Sequence, residues 1–384
     1  MFKIAISTKA LKANTKNISK LSIYQTIFAL MIKKYGKYVK EWGKAFLWAF
    51  LFAWILRTTL IQGAFIPSQS MERSLMPGDF VFINKWTYGA RMPITPIGIP
   101  FMHQNMPFSN ERAAYLDWIS LPYWRLPGFG EIERNNIVVF NYPMELERPV
   151  DKRTYFVKRC VGLPGDTFSI FNKRIIINGD TMDQLPSYQF NRRIKCTTPL
   201  DQAWLDSLEI TEGGLVSNML DYEFPLSDTL AKLFESHPFV HSMGLHSEQE
   251  GDYQAYIFPH SRAYPWNNDF WGPIEIPSEG KTVALNDTTI VLYERIIRDY
   301  EHNKLEVFPG KILINNKQVS SYTFQQDYYF MMGDNRDYSA DSRSWGFVPR
   351  NHIIGKAWMI FFSYNANKSG SSHIRWNRIF RLLH

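Results

Sequence analysis

Apolar positions are densest in "AFLWAFLFAWILRTTLIQGAFI" (45–66), whose single charge is Arg57. At ~1.5 Å per residue this run predicts a helix of roughly 30 Å, about one hydrocarbon thickness, and hence an N-terminal transmembrane anchor. Arg57 is expected at the outer bilayer face, where its long side chain reaches water, so that the hydrocarbon part would end near Leu56 with its start shifted back toward Tyr38. Some forty residues precede the run, more than a cleavable signal peptide places before its apolar region, so an uncleaved anchor is expected. "LSIYQTIFALMI" (21–32) is shorter and predicts an amphipathic, interfacial segment.

Beyond residue 66 the pattern changes to short runs rich in Val, Ile, Phe and Tyr, bounded by turn residues, which predict strands. These are "DFVFINKW" (79–86), "NIVVFNYP" (136–143), "TYFVKRCVG" (154–162), "TFSIFNKRIIING" (167–179), "KILINNKQV" (311–319) and "HIIGKAWMIFFS" (352–363). "DTTIVLYERIIRDYEHN" (287–303) is the best helix-period stretch. "RIIINGD" (174–180) and "KILINNK" (311–317) look alike, which predicts a reused hairpin. Residues 181–285 are Pro-rich, mixed in charge and weakly periodic, and predict an insertion between two strands. The expected organisation is a cytoplasmic segment (1–44), an anchor (45–66) and a mainly β domain in two parts (67–180 and 286–384) around the insertion. The last residues, "RWNRIFRLLH" (375–384), predict a short basic amphipathic helix at a lipid surface.

Charge orients the chain. The net charge is +7, and residues 1–44 hold ten lysines against one acid, Glu41. Such a block beside an apolar run marks a cytoplasmic flank, which sends everything after about residue 66 to the outer side of the membrane. The block lacks a recognition fold, so no nucleic-acid partner is expected. The two cysteines, Cys160 and Cys196, form no disulfide framework, and two free thiols or one bridge fit equally well. The nine histidines never form HExxH, and neither a metal site nor a cofactor is expected.

Three stretches carry candidate chemistry. "PSQSM" (67–71) follows the apolar run; if it is extended, Ser68 and Ser70 face one side. One hydroxyl can then act as nucleophile and the other as donor to an oxyanion. A serine nucleophile needs a base, and Lys158 in "YFVKRCVGLPGD" (155–166) shares a strand face with Phe156 and Cys160. If that face is buried, desolvation lowers the ammonium pKa and the neutral amine can take a proton. "GDNRDYSADSRSWGFVP" (333–349) fails the EF-hand pattern and predicts a loop knitted by its own charges. In it, Asp341 and Arg343 are candidates for pairing, and Ser339 is a candidate to orient the lysine amine.

Together with the preceding anchor, these stretches and "GDFVFINKW" (78–86) resemble the bacterial type I signal peptidases, membrane-bound Ser-Lys leader peptidases. The resemblance covers residues 45–92, 132–180 and 305–363, and its long form is similar to that of Bacteroidetes-type bacteria. It implies a mostly antiparallel β fold and an endopeptidase that cuts signal peptides from exported preproteins. Small residues would stand one and three places before the cut. It further implies Ser70 as nucleophile, Lys158 as general base, and Ser68 with the Ser70 backbone N–H as oxyanion hole. Met71 would follow the nucleophile, Ser339 would position Lys158, and Asp341 and Arg343 would form a supporting ion pair. The lipid bilayer, and the secretion translocon as the source of preproteins, would be partners in the bacterial inner membrane.

The sequence departs from the family pattern at Gln69, where Gly is usual, at Arg73-Ser74-Leu75 for Pro-Thr-Leu, and at Asn135-Asn136 for Gly-Asp. Two rival readings are another Ser-Lys protease, such as the self-cleaving repressors, and a catalytically inactive, membrane-tethered β protein that binds partners. An anchor before the serine argues against the first, and intact Ser70 and Lys158 argue against the second.

Overall fold

The computed structural model describes residues 35–36, 38–109, 112–217, 220–365 and 373–383. The 21–32 segment and nearly all of the basic block lie outside the described residues. The chain divides into two compact units, Met1–Arg57 and Thr58–His384.

Residues 38–59 are helical, with Trp42, Phe46, Leu47, Trp48, Phe52 and Ile55 exposed. The anchor expected over 45–66 is not found in that form. The helix stops at residue 59, and the rest of the apolar run is a strand, β1 (Ile61–Phe65). Between Lys44 and Arg57 only residues 45–56 are uncharged, which as a helix gives ~18 Å against a hydrocarbon thickness of ~30 Å. Among the described residues no helix is long and apolar enough to cross a membrane.

The second unit is mainly antiparallel β. β1 pairs with β2 (Asp79–Asn84), which pairs with the long strand Ile353–Ser363. The sheet continues through β3 (Ile137–Asn141), β4 (Tyr155–Gly162), Tyr328–Met332 and Val348–Pro349. This chain order brings residues near 70, 158 and 333 to one region, because β4 lies between β3 and Tyr328–Met332. The alternation of Asp79–Asn84 is that of a half-buried strand, with Val81 and Ile83 inward. They join Ile66, Met71, Leu75, Ile137, Val139, Ile354 and Ala357 in an apolar cluster.

Smaller sheets complete the unit. Thr167–Phe171 and Arg174–Ile177 form a hairpin, and Arg174–Ile177 pairs onward with Asp180–Thr181 through Asn178-Gly179, both at positive φ. Lys311–Ile314 and Lys317–Gln318 repeat the device with Asn315-Asn316. Both are two-residue turns of the kind that need positive φ, which accounts for the similarity of the two sequences. The predicted helix appears as Ile290–Arg295, continued by a wider turn over Ile296–Tyr300.

The 181–285 segment has a core of its own. Strands Phe190–Cys196, Asp221–Leu226 and Val240–Leu245 pack with helices Gln202–Ser207 and Asp228–Glu235 around Ile194, Leu205, Phe224, Leu226 and Phe234. Phe270–Glu275, near its end, pairs instead with Thr167–Phe171.

The expected interfacial helix at 375–384 is also not found. The tail holds one short turn, Trp376–Arg378, and folds back on the sheet, with Leu382 bridged to Met359. Two of its arginines have side-chain partners: Arg378 pairs with buried Asp79 at 2.5 Å, and Arg375 with Glu209 at 3.0 Å. A buried aspartate needs a cation, and Arg378 supplies it.

Candidate active site

Ser70 begins a tight turn just after β1, where the Glu72 N–H donates to the Gln69 carbonyl at 2.8 Å and the Leu75 N–H to the Met71 carbonyl at 2.7 Å. Met71 and Leu75 are buried in the cluster beneath. Residues 67–71 are therefore bent rather than extended, because those two backbone bonds draw the chain into a turn. The two hydroxyls nevertheless stand 3.5 Å apart, with Ser68 exposed and Ser70 only 9% exposed. The Ser70 carbonyl accepts the Asn335 N–H at 3.1 Å, which ties the turn to the 333–349 loop.

Lys158 lies in β4 opposite Val138 and is 3% exposed. Its ammonium donates to Ser70 Oγ at 2.5 Å, and Phe156 from the same strand face has its ring centroid 5.7 Å from Nζ. Burial lowers the amine's pKa to about 8, with Asp341 and Asp334 drawing it up and Arg343 down. At pH 8 roughly half the amine is then neutral, against about 0.4% for a free lysine. Cys160, next on that face, is a buried free thiol, as is Cys196.

The loop is held by two buried ion pairs. Arg343 Nε and Nη2 each donate to Asp341 at 2.9 Å, and the Gly333 N–H donates to Asp341 Oδ2 at 3.1 Å. Burial raises the Asp341 pKa, but Arg343 and these hydrogen bonds hold it below the usual carboxylate range. The second pair, Arg159 with Asp334, was missed in the sequence reading: Nε and Nη2 each donate at 2.7 Å, and Ser74 and Ser187 add hydroxyl donors at 2.6 and 2.9 Å. The available signal was a second cation beside Lys158 on a strand buried on both faces.

Ser339 lies against Gly333 and the Ser70 turn. A Cβ at Gly333 would stand 2.2 Å from Ser339 Oγ and 2.4 Å from the Ser70 carbonyl oxygen. Its hydroxyl donates to the Ala340 carbonyl at 3.4 Å, and the expected bond to Lys158 is not among the hydrogen bonds of the described residues. The lysine amine is directed to Ser70 instead.

The 181–285 segment borders this site. The Gln189 N–H donates to the Asp334 carbonyl and the Arg336 N–H to the Gln189 carbonyl, at 2.9 and 3.0 Å. The Asn191 N–H donates to Asp337 at 2.7 Å. On the other side Thr211 donates to Glu72 and Arg73 to the Leu208 carbonyl. Two departures from the family pattern acquire a geometry here. Asn135 and Arg73 both have positive φ, 72° and 71°. Asparagine tolerates that region; for Arg73 it costs about 1–2 kcal/mol, and proline cannot adopt it. Among the described residues, no three His, Cys, Asp or Glu side chains stand together as a metal-ligand set.

Comparison with known proteins gives the family. A family model described as signal peptidase, peptidase S26, matches residues 39–216 and 273–362, more than half of the chain. The signal peptidase I of Buchnera aphidicola subsp. Baizongia pistaciae is 25% identical over 90% of this chain and 81% of its own length. That of Pseudomonas aeruginosa is 26% identical over 84% and 72%, and that of Helicobacter pylori strain 26695 is 22% identical over 84% and 85%. The chain belongs to the peptidase S26 family of signal peptidases.

Proposed function

We propose that this chain is a membrane-attached serine endopeptidase that removes N-terminal signal peptides from exported preproteins, with Ser70 as nucleophile and Lys158 as general base. The observation that carries the proposal is the 2.5 Å contact of a buried lysine amine, pKa about 8, with a serine hydroxyl. In the neutral amine the direction of that bond reverses. Ser70 O–H donates to Nζ, and Oγ attacks the scissile carbonyl carbon as the proton moves to the lysine. The ammonium then protonates the leaving amine, which departs and leaves an acyl group on Ser70. Water, deprotonated by the regenerated amine, releases the acyl group. The Ser68 hydroxyl and the Ser70 N–H stabilise the oxyanion in each step. Asp341, paired with Arg343, and Met71 and Ser339 hold this arrangement from behind. The substrate runs extended and adds to a strand edge by main-chain hydrogen bonds.

Attachment to the bacterial inner membrane, with the catalytic unit on the outer side where the translocon delivers preproteins, is supported by helix 38–59. It exposes three tryptophans, Trp42, Trp48 and Trp54, and carries Lys40 and Lys44 at its start. Tryptophan beside apolar residues and a basic flank suits a lipid interface. An inactive tethered protein would have no use for a lysine buried against a serine, since burial of that charge costs stability.

Turnover of a preprotein by the purified chain, against Ser70→Ala, tests the proposal. The variant should lose at least about 10³-fold in kcat, and Ser68→Ala about 10²–10³-fold. Near-parental turnover by Ser70→Ala would overturn it.

A further inference from the structure

Glu72 stands two places after Ser70 and is 1% exposed. Its carboxylate oxygen Oε1 accepts a hydrogen bond from the Thr211 hydroxyl at 2.8 Å. The next residue, Arg73, has φ 71°, and its guanidinium donates to the Leu208 carbonyl at 3.1 Å. Two consecutive residues of the nucleophile turn are thus gripped by residues 208–211, more than a hundred positions along the chain. A left-handed backbone at a non-glycine residue persists only where its surroundings over-determine it. Here the surroundings are the Glu72–Thr211 and Arg73–Leu208 bonds above and buried Met71 and Leu75 below. Burial pushes the Glu72 carboxyl up, with a further push from Glu212, against hydrogen bonds from Thr211 and Gln189 and the charge of Arg73.

We propose that Glu72 is a positioning residue for Ser70: through it, and through Arg73, segment 208–211 fixes the turn that keeps Ser70 Oγ against Lys158 Nζ. Glu72 touches no reacting atom. Its role is to set the backbone from which the nucleophile projects, and a small displacement there is costly, because a misplacement of about 1 Å can cost about 10²-fold in rate. The inference rests on Ser70 being the nucleophile. It makes the 208–211 stretch, on the edge of the site, a working part of it.

The test uses the full chain and reads kcat and KM for a preprotein together with the unfolding midpoint. Thr211→Val removes the hydroxyl donor that ties Glu72 to segment 208–211, and should lower kcat about tenfold with KM within about twofold and the midpoint near parental. Glu72→Ala should lower kcat further, by about a hundredfold. Glu72→Gln keeps an acceptor for the Thr211 hydroxyl and should retain activity to within about threefold, a rescue that loss of packing alone does not predict. If Glu72→Ala fails to fold, the other two variants decide. Parental kcat in Thr211→Val, or Glu72→Gln as impaired as Glu72→Ala, would overturn the proposal. Ser70→Ala, measured alongside, separates the two ideas. An active Ser70→Ala overturns the nucleophile itself, whereas an inactive one beside a parental Thr211→Val overturns only the positioning role.

Discussion

In the proposed mechanism Lys158 has to be uncharged when it takes a proton, and the buried strand that would allow this does so at a cost in stability. Its pKa is lowered from 10.5 to about 8 by burial, so between those values the unfolded chain binds more protons than the folded one. The penalty is present in full below about pH 8 and disappears as pH rises to about 10.5; it is on the order of 3 kcal/mol. Lys158→Met should therefore be inactive yet raise the thermal midpoint at pH 7, with the gain shrinking above about pH 8. Scanning calorimetry at pH 7 and pH 10 reads this, and a lower midpoint at pH 7 would count against a strained, buried ammonium. Lys158→Arg keeps the charge but not the ability to shed it, and should be as inactive as Lys158→Ala. That Ser70 and Lys158 stand together was legible because their stretches are local and distinctive. The hydrogen bond made by Ser339 was not, since its direction depends on how two loops meet, and spacing carries no information on that.

At the scale of elements, buried charge pairs shape the loop behind the site. Asp341 is fully buried and meets Arg343 through both oxygens, with a third bond from the Gly333 N–H. Asp341→Asn leaves the guanidinium buried without a full counter-charge, which should cost about 3–5 kcal/mol. Urea unfolding measures this, and a loss under about 1 kcal/mol would show the pair to be dispensable. Strands were the readable elements. Richness in Val, Ile, Phe and Tyr marked β2 and Ile353–Ser363, and turn residues bounded the 167–179 and 311–319 hairpins. Two elements were misread for one reason, that an apolar or basic composition does not name its partner. The apolar run past residue 59 became β1 because β2 offers it a strand edge, and the tail became a packed turn because Asp79 takes Arg378.

For the whole molecule, the division into Met1–Arg57 and Thr58–His384 separates proposed attachment from proposed chemistry. The full chain should sediment with anionic vesicles, and its tryptophan emission should shift to the blue as Trp42, Trp48 and Trp54 leave water. A chain lacking residues 1–57 should show a smaller shift; equal shifts would remove helix 38–59 from the membrane account. Sequence conveyed the mainly β class and the change of character over 181–285, but not that this segment packs a core of its own. It did not convey that this segment borders the Ser70 turn, because contacts such as Thr211 to Glu72 join residues far apart in the chain. The central claim, a buried lysine activating a serine, is tested most directly by the pH dependence of kcat/KM for preprotein cleavage between about pH 6 and 10. A Ser70–Lys158 dyad predicts a rise as the lysine loses its proton, with a midpoint near pH 8. A level profile over that range, or a rise centred near the ~10.4 of a free lysine, would contradict it.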